Sequence, residues 1–283
     1  MLSEPAIAEV RARPEFRRTV CDITDRAISH YLSLNEAFQW MLKDLGRVAI
    51  GFTAMVMDGA EEGLTASALI ALCKTNELSS PGRVTEFLNR GYQHGEITAE
   101  PGPGHWTRRR LTLGPGFHLH YSERVRRDMQ AMAILAPEIV LAMSLLDEPE
   151  TFRHYSLSAG VVVASRPDLF KPSPSRPPYM FGKRDAGMLM LHDLMMSQPA
   201  ERTRLLEEAP LSRAALARRF GVSRAHVNAM LSEAGKAGLL SCPAPDRVVF
   251  SPILSESIER QNALLIQLTR AAAMFALATR PNR

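Results

Sequence analysis

Cysteine is scarce: three in 283 residues, Cys21, Cys73 and Cys242, with no CxxC pair among them. That excludes a disulfide framework and a thiolate zinc site, and fits reduced thiols inside a cell. Redox sensing through Cys73 or Cys242 is the sharper use of these residues. Small buried or half-buried side chains is the preferred one. Long hydrophobic runs are missing too. The longest apolar stretches, such as Ile134 to Leu146, are broken by Pro137, Glu138 and Ser144. They fall short of the ~18 uninterrupted apolar residues of a membrane span. Met1 to Arg18 mixes acids and bases around no apolar centre, so no secretory signal is expected. A soluble, cytoplasmic protein with no membrane partner is predicted.

The signatures of common enzymes are also absent. No P-loop, HExxH or GxSxG occurs, and the histidines are scattered without metal-ligand spacing. A methyltransferase-like nucleotide fold would need a glycine-rich loop after a strand. The one strand-like candidate, Gly160-Val-Val-Val-Ala164, has no GxGxxG after it. The chain is therefore read as no enzyme, with no cofactor, no catalytic residues and no metal.

What is present points to a globular protein. Hydrophobic residues make up 46%, enough for two modest cores. Lys and Arg exceed Asp and Glu only by 34 to 30, a net charge of +4. Where the cations sit therefore matters more than their sum. Five prolines, Pro167, Pro172, Pro174, Pro177 and Pro178, fall between Ser165 and Phe181 and read as an extended linker. The organisation drawn from this is an N-terminal extension at 1–30, a first unit with flanking helices at 31–148, a linker at 149–182, and a second unit at 183–283.

The two units echo one another. Ser80 to Val84 aligns with Ser223 to Val227 at an offset of 143, which also pairs Leu88 with Leu231 and Gly95 with Gly238. Leu64-Thr65 and Leu211-Ser212 pair at 147, and Ser122 to Val125 pairs with Ser255 to Ile258 at 133.

In the second unit, Ser212 caps a helix over Arg213 to Arg219, and Phe220-Gly221-Val222 forms a turn. Ser223 caps a second helix from Arg224 to about Ala237, with Val227, Met230, Leu231 and Ala234 facing inward and Gly238 ending it. Arg224, His226, Asn228 and Ser232 form its polar outer face. Leu239-Leu240 and Arg247 to Phe250 are two short strands of a hairpin. This is a helix-turn-helix with a wing, whose second helix enters the major groove of DNA.

The first unit repeats the order: a helix at about Ala66 to Lys74, then Ser80 as cap, Pro81 at the first helical position, and a helix to about Gln93. Arg83, Thr85, Glu86, Asn89 and Arg90 face outward. Strands at Glu96 to Ala99 and Arg110 to Leu113 flank a basic tip that carries Gly104, His105, Trp106, Arg108 and Arg109.

The run from Leu64 to Gly116, ending in Arg108-Arg-Arg-Leu-Thr-Leu-Gly114, resembles the winged-helix core of MarR-type regulators. Leu111-Thr112-Leu113-Gly114 approximates the segment that closes their second wing strand, one residue short. Their Asp-x-Arg wing tip is replaced by Gly104-His105-Trp106-Thr107, and Glu86 stands where a basic residue often lies. The resemblance implies dimerisation through helices flanking the core. Here those are Phe38 to Met57, Ser122 to Leu146 with a break at Pro137, Asp185 to Met196, and Glu256 to Thr279. Packed together between the units, they would make one chain a pseudo-dimer, with no oligomer required.

The expected fold is thus mainly α with small β-wings: two winged helix-turn-helix units joined by a helical pseudo-dimerisation region. The expected partner is double-stranded DNA, contacted by Ser80, Arg83, Thr85, Arg90, His105, Trp106, Arg108, Arg109 and Arg110 of the first unit. Ser223, Arg224, His226, Asn228 and Arg247 contact it from the second. Trp106 is left between stacking on a sugar and stacking on protein. The family allows a small-molecule effector between the units, near Met188, Met190, Met195 and Met196 or Arg153-His154-Tyr155, although core packing is the default for the methionines. The predicted function is transcriptional regulation of a bacterial type. A plasmid-type replication initiator with two winged helices and a winged-helix scaffold for protein contact are the alternatives.

Overall fold

Side-chain caps from Ser, Thr, Asn or Asp start many of the helices. The computed structural model describes residues 2–166, 177–198 and 204–279. Within them the chain is mainly helical, with two small antiparallel sheets. Helices α1 (Glu4–Ala12), α2 (Phe16–Ser33), α3 (Glu36–Met41) and α4 (Leu45–Gly59) lead into strand β1 (Leu64–Thr65). Next come α5 (Ala66–Thr75), α6 (Pro81–Gln93), β2 (Ile97–Ala99), a short 3-10 helix at Trp106–Arg108, β3 (Arg110–Leu113) and α7 (Pro115–Met132). A 3-10 segment at Pro137–Leu146 precedes α8 (Pro149–Ala164). The C-terminal part holds α9 (Pro177–Gly182), α10 (Gly187–Met196), β4 (Glu208–Pro210), α11 (Arg213–Arg219), α12 (Arg224–Lys236), β5 (Leu240–Ala244), β6 (Arg247–Phe250) and α13 (Pro252–Ala278).

The two sheets have the same topology. The last strand is central in each: β1-β3-β2 in the first and β4-β6-β5 in the second. Leu64 pairs with Leu111 and Ile97 with Leu113. Ala209 pairs with Val248 and Leu240 with Phe250. Caps repeat with them. Thr65 accepts from the Ala68 N–H and Ser212 from the Ala215 N–H. Ser80 and Ser223 likewise accept from the Arg83 and His226 N–H groups. Gly95 and Gly238 end the second helix of each pair at φ of 72° and 69°, a backbone region open to glycine at little cost. The offsets of 147 and 143 therefore correspond to structure. The third does not: β3 and β6 bring Arg110 onto Arg247 and Pro115 onto Pro252, an offset of 137 rather than 133. The sequence match at Ser122 and Ser255 had slipped by four residues, about one helical turn, where small and charged residues recur with the helical period.

Two expected elements differ. The helix foreseen over Phe38 to Met57 is two helices, because the Asp44 carboxylate accepts the Arg47 N–H at 3.0 Å and starts α4 afresh. The segment assigned as linker, 149–182, opens with α8, and the strand-like Gly160 to Ala164 is the end of that helix. Of the five prolines, Pro167, Pro172 and Pro174 lie outside the described residues, while Pro177 and Pro178 open α9.

Helix α8, inside the segment expected to be linker, packs between α4 and α13, which fall in two of the four helical stretches foreseen to pack together between the units. At Gly160 a Cβ would come within 2.7 Å of the Val56 side chain, so the α4–α8 approach requires glycine. Buried Asp58 on α4 gathers three neighbours: the Leu113 N–H of β3 at 3.3 Å, His118 of α7 at 3.4 Å and Arg153 of α8 at 2.9 Å. These contacts hold the Asp58 carboxyl below the usual range, against the opposing effect of burial. On the other side of α8, His154 Nε2 lies 3.0 Å from the Ala276 carbonyl of α13. Helix α1 is tied to α13 by Arg11–Glu259 at 3.2 Å and by Gln267 donating to the Ala6 carbonyl, so the N-terminal extension is part of the fold. No helix among the described residues is long and apolar enough to cross a membrane.

Two histidines, His30 buried and His192 half-buried, give the fold a pH dependence. His30 is lowered to about 4, chiefly by burial, with Arg124 and Arg127 adding to it. His192 is also lowered to about 4 by burial and Arg124. Unfolded histidines take up protons near pH 6.5. Between pH 6.5 and 4 the unfolded chain therefore binds more protons, and stability falls as pH falls. Asp128, raised by burial, pulls the other way, so the difference between variants is diagnostic. Urea unfolding of a His30→Phe, His192→Leu variant should show a shallower loss across that window than wild type. Parallel curves would contradict the assignment.

Candidate nucleic-acid interface

The outward faces of α6 and α12, with the hairpins that follow, hold all fourteen residues expected at the interface. Most of the cations there turn out to be occupied. Arg83 donates to Asp44 at 2.5 Å, and Arg90 sits 4.7 Å above the Trp40 ring and 3.8 Å from Glu36. Arg109 donates to the Glu100 carbonyl at 3.3 Å and to the Gly104 carbonyl at 2.5 Å, closing the first hairpin's tip. His226 Nε2 donates to the Asp185 carbonyl at 3.0 Å. Arg110 and Arg247, equivalent in the two sheets, make exposed pairs with Glu100 at 4.0 Å and Glu208 at 3.3 Å. Such exposed pairs contribute little and open readily. The Thr85 hydroxyl bonds back to Pro81, Ser80 and Ser223 are caps, and His105 binds Thr107 at 2.9 Å. Trp106 stacks on Tyr92 of α6, with centroids 4.4 Å apart and rings within 5°, so its face is taken up by protein. That leaves Arg108, Arg224 and Asn228 exposed, with no side-chain partner among the described residues.

Sequence reading missed the residues that join the two faces. Asp44, 0% exposed at its side chain, pairs with Arg83 of α6 and with Arg47 at 2.9 Å. The same Arg47 nitrogen reaches Asp185 at 3.0 Å, and the Asp185 carbonyl takes His226 of α12. Arg83 and His226 are equivalent at the 143 offset, and each is bound to an aspartate that precedes its own helix pair in the chain, with Arg47 bridging the two aspartates. The backbone follows the same route. The Ala186 N–H donates to the Lys43 carbonyl at 2.6 Å, and Lys43 Nζ donates to the Gly221 carbonyl in the turn before α12 at 3.0 Å.

A second pair of anchors repeats with the charges exchanged. Arg90 of α6 meets Glu36. At the equivalent position of α12, Glu233 meets Lys183 at 2.7 Å and Arg184 at 3.1 Å. Arg184 and Lys183 hold the Glu233 carboxyl down at about 2. The starts of α6 and α12 are thus linked through two carboxylates, Asp44 and Asp185, one guanidinium nitrogen between them and the backbone carbonyl of Asp185. That path is too short to hold them the ~34 Å of one duplex turn apart. Only the Asp44 cap carried a local signal. Asp185 stands 138 residues from Arg47, and no spacing rule points to it.

Further cations near the second helix pair include exposed Arg218 and Lys236. Among the described residues no group of histidine, cysteine and acidic side chains could hold a metal ion. Cys73 is fully buried and its thiol is pushed up to about 11 by burial, which disfavours redox chemistry there, while Cys242 is exposed. Met190 and Met195 are core residues. Arg153 and His154 make the α8 contacts described above, and Tyr155 is buried beside Phe152. Compared with known protein families, curated proteins and solved structures, the chain matches none.

Removing Arg47 would leave Asp185 without its ion pair and Asp44 with Arg83 alone. Breaking buried charge networks of this kind costs about 3 kcal/mol or more. Arg47→Ala should lower unfolding free energy by roughly 3 kcal/mol and speed amide exchange at the start of α12. A loss under about 0.5 kcal/mol, the range of ordinary surface substitutions, would show that the network holds nothing together.

Proposed function

We propose that this chain is a sequence-specific, double-stranded-DNA-binding transcriptional regulator. In this reading it carries two winged helix-turn-helix units, similar to the cores of MarR-type regulators, and acts as a single-chain pseudo-dimer without catalytic activity. The observation that carries it is the duplication. Two helix pairs of one order, each followed by an arginine-bearing hairpin of one strand order, stand in one chain with their second helices linked at their N-termini.

Helices α6 and α12 would be the recognition helices. Exposed Arg224 and Asn228 suit base edges, because arginine pairs bidentately with guanine and asparagine with adenine. Arg108 and Arg110 suit phosphates beside the first hairpin, and Arg247 those beside the second. Because α6 and α12 differ in sequence and their starts are tied close together, they would read unlike and adjoining stretches of one site, not the two matching half-sites a full duplex turn apart that a homodimer reads.

Phosphate contacts make affinity depend on salt, with a slope near 0.9 per contact. In the Arg108→Ala, Arg110→Ala variant, which keeps Arg109 to hold the hairpin tip, the slope should fall by roughly one unit per lost contact. Fluorescence anisotropy with a labelled duplex across a salt series measures it. An unchanged slope would refute the role of this hairpin. No salt-sensitive binding by wild type would favour a protein-contact scaffold instead.

A further inference from the structure

On α6, one surface has no occupant within the protein. Glu86, Asn89 and Gln93, at the spacing of one helical face, line a shallow groove with Gly82, Thr85, Arg90 and His94. Thr85 is bonded to its own helix and Arg90 rests on Trp40. Glu86, Asn89 and Gln93 are exposed and have no hydrogen bond or ion pair among the described residues. Gly82, one turn before Glu86, is exposed, and a Cβ added there would meet nothing within 4 Å. Packing therefore gives no reason for a glycine at a helical position where alanine is the better helix former. A glycine there leaves the backbone at the start of α6 open to whatever approaches this face.

The charge along this face is unlike that of its partner. At the 143 offset, Glu86 becomes Ala229, Asn89 becomes Ser232, Gln93 becomes Lys236, and Pro81 becomes Arg224. The α12 face thus carries cations and no carboxylate at these positions. The α6 face carries one carboxylate and two amides, and its arginines at 83 and 90 are both engaged. A carboxylate facing a phosphate backbone is repelled. A carboxylate facing the floor of the major groove can accept from the exposed amino group of cytosine, and an amide can pair with adenine. The Arg108 and Arg110 cations of the adjoining hairpin offset the repulsion at the rim, since Trp106 of that hairpin rests on Tyr92 of α6.

We propose that Glu86 is a specificity-determining residue of the first unit: its carboxylate selects cytosine within that half-site and weakens binding to all other duplex. Asn89 reads the neighbouring position. This rests on the DNA-binding reading above.

The test uses the full chain and a randomised duplex library, with recovered sequences compared between wild type, Glu86→Gln and Glu86→Ala. Circular dichroism checks that the exposed substitutions leave the fold intact. Wild type should enrich cytosine at one fixed position. Both variants should lose that preference by about tenfold, keep the preferences of the α12 half-site, and bind unrelated duplex more tightly than wild type. If the variants bind all duplex more tightly but keep the cytosine preference, Glu86 is only a repelling charge and the proposal is overturned. If wild type enriches no sequence at any salt, the DNA-binding reading fails, and this proposal fails with it.

Discussion

Everything at the candidate interface depends on one buried carboxylate. Asp44 is fully enclosed, and a buried charge is tolerated only when it is paired and hydrogen-bonded. Its partners are a backbone N–H at the start of α4 and two guanidinium groups, Arg47 and Arg83. Through Arg47 the pairing passes to Asp185 and, by way of its carbonyl, to His226. The start of α6 and the start of α12 are therefore held by the same charges. Moving one helix pair relative to the other would strand at least one of these charges, and that is what gives the two faces a fixed relation.

Much of this architecture was legible in local chemistry. Ser80, Ser212 and Ser223 cap the helices they were expected to cap, and Gly95 and Gly238 take the left-handed backbone that ends a helix. The hairpin strands at Arg110 to Leu113 and Arg247 to Phe250 were visible as short apolar alternations between turn residues. These signals act over three or four residues, so a sequence carries them whole. Asp58 and Asp44 are different. Their partners stand from a few residues to more than ninety away along the chain, and an isolated aspartate looks like any surface acid. Helix α8 was hidden for a related reason. Its Gly160-Val-Val-Val-Ala164 end has the β-branched composition of a strand, yet it continues the helix begun at Pro149, with Gly160 set against Val56 of α4.

The site was legible in kind and less so in detail. Arg83, Arg90, Arg109 and His226 were assigned outward from helical periodicity and tip position, but long side chains reach back to neighbouring carboxylates, carbonyls and rings. What remains exposed and without a partner among the described residues is a smaller and less symmetrical set: Arg108, Arg224 and Asn228, together with the carboxylate and amides along α6. Two units with one backbone plan thus present different chemistry, one face cationic and the other mixed. That asymmetry separates a single chain with two units from a homodimer, whose two faces are identical by symmetry.

The central claim is that this pair of unlike faces reads duplex DNA by sequence. The most direct measurement is binding of the purified full chain to pooled genomic fragments at two salt concentrations, followed by sequencing of what is retained. The account predicts enrichment of one or a few promoter-proximal sites whose two halves differ, with weaker retention at the higher salt. Retention of no fragment at either salt, or of palindromic sites alone, would contradict it.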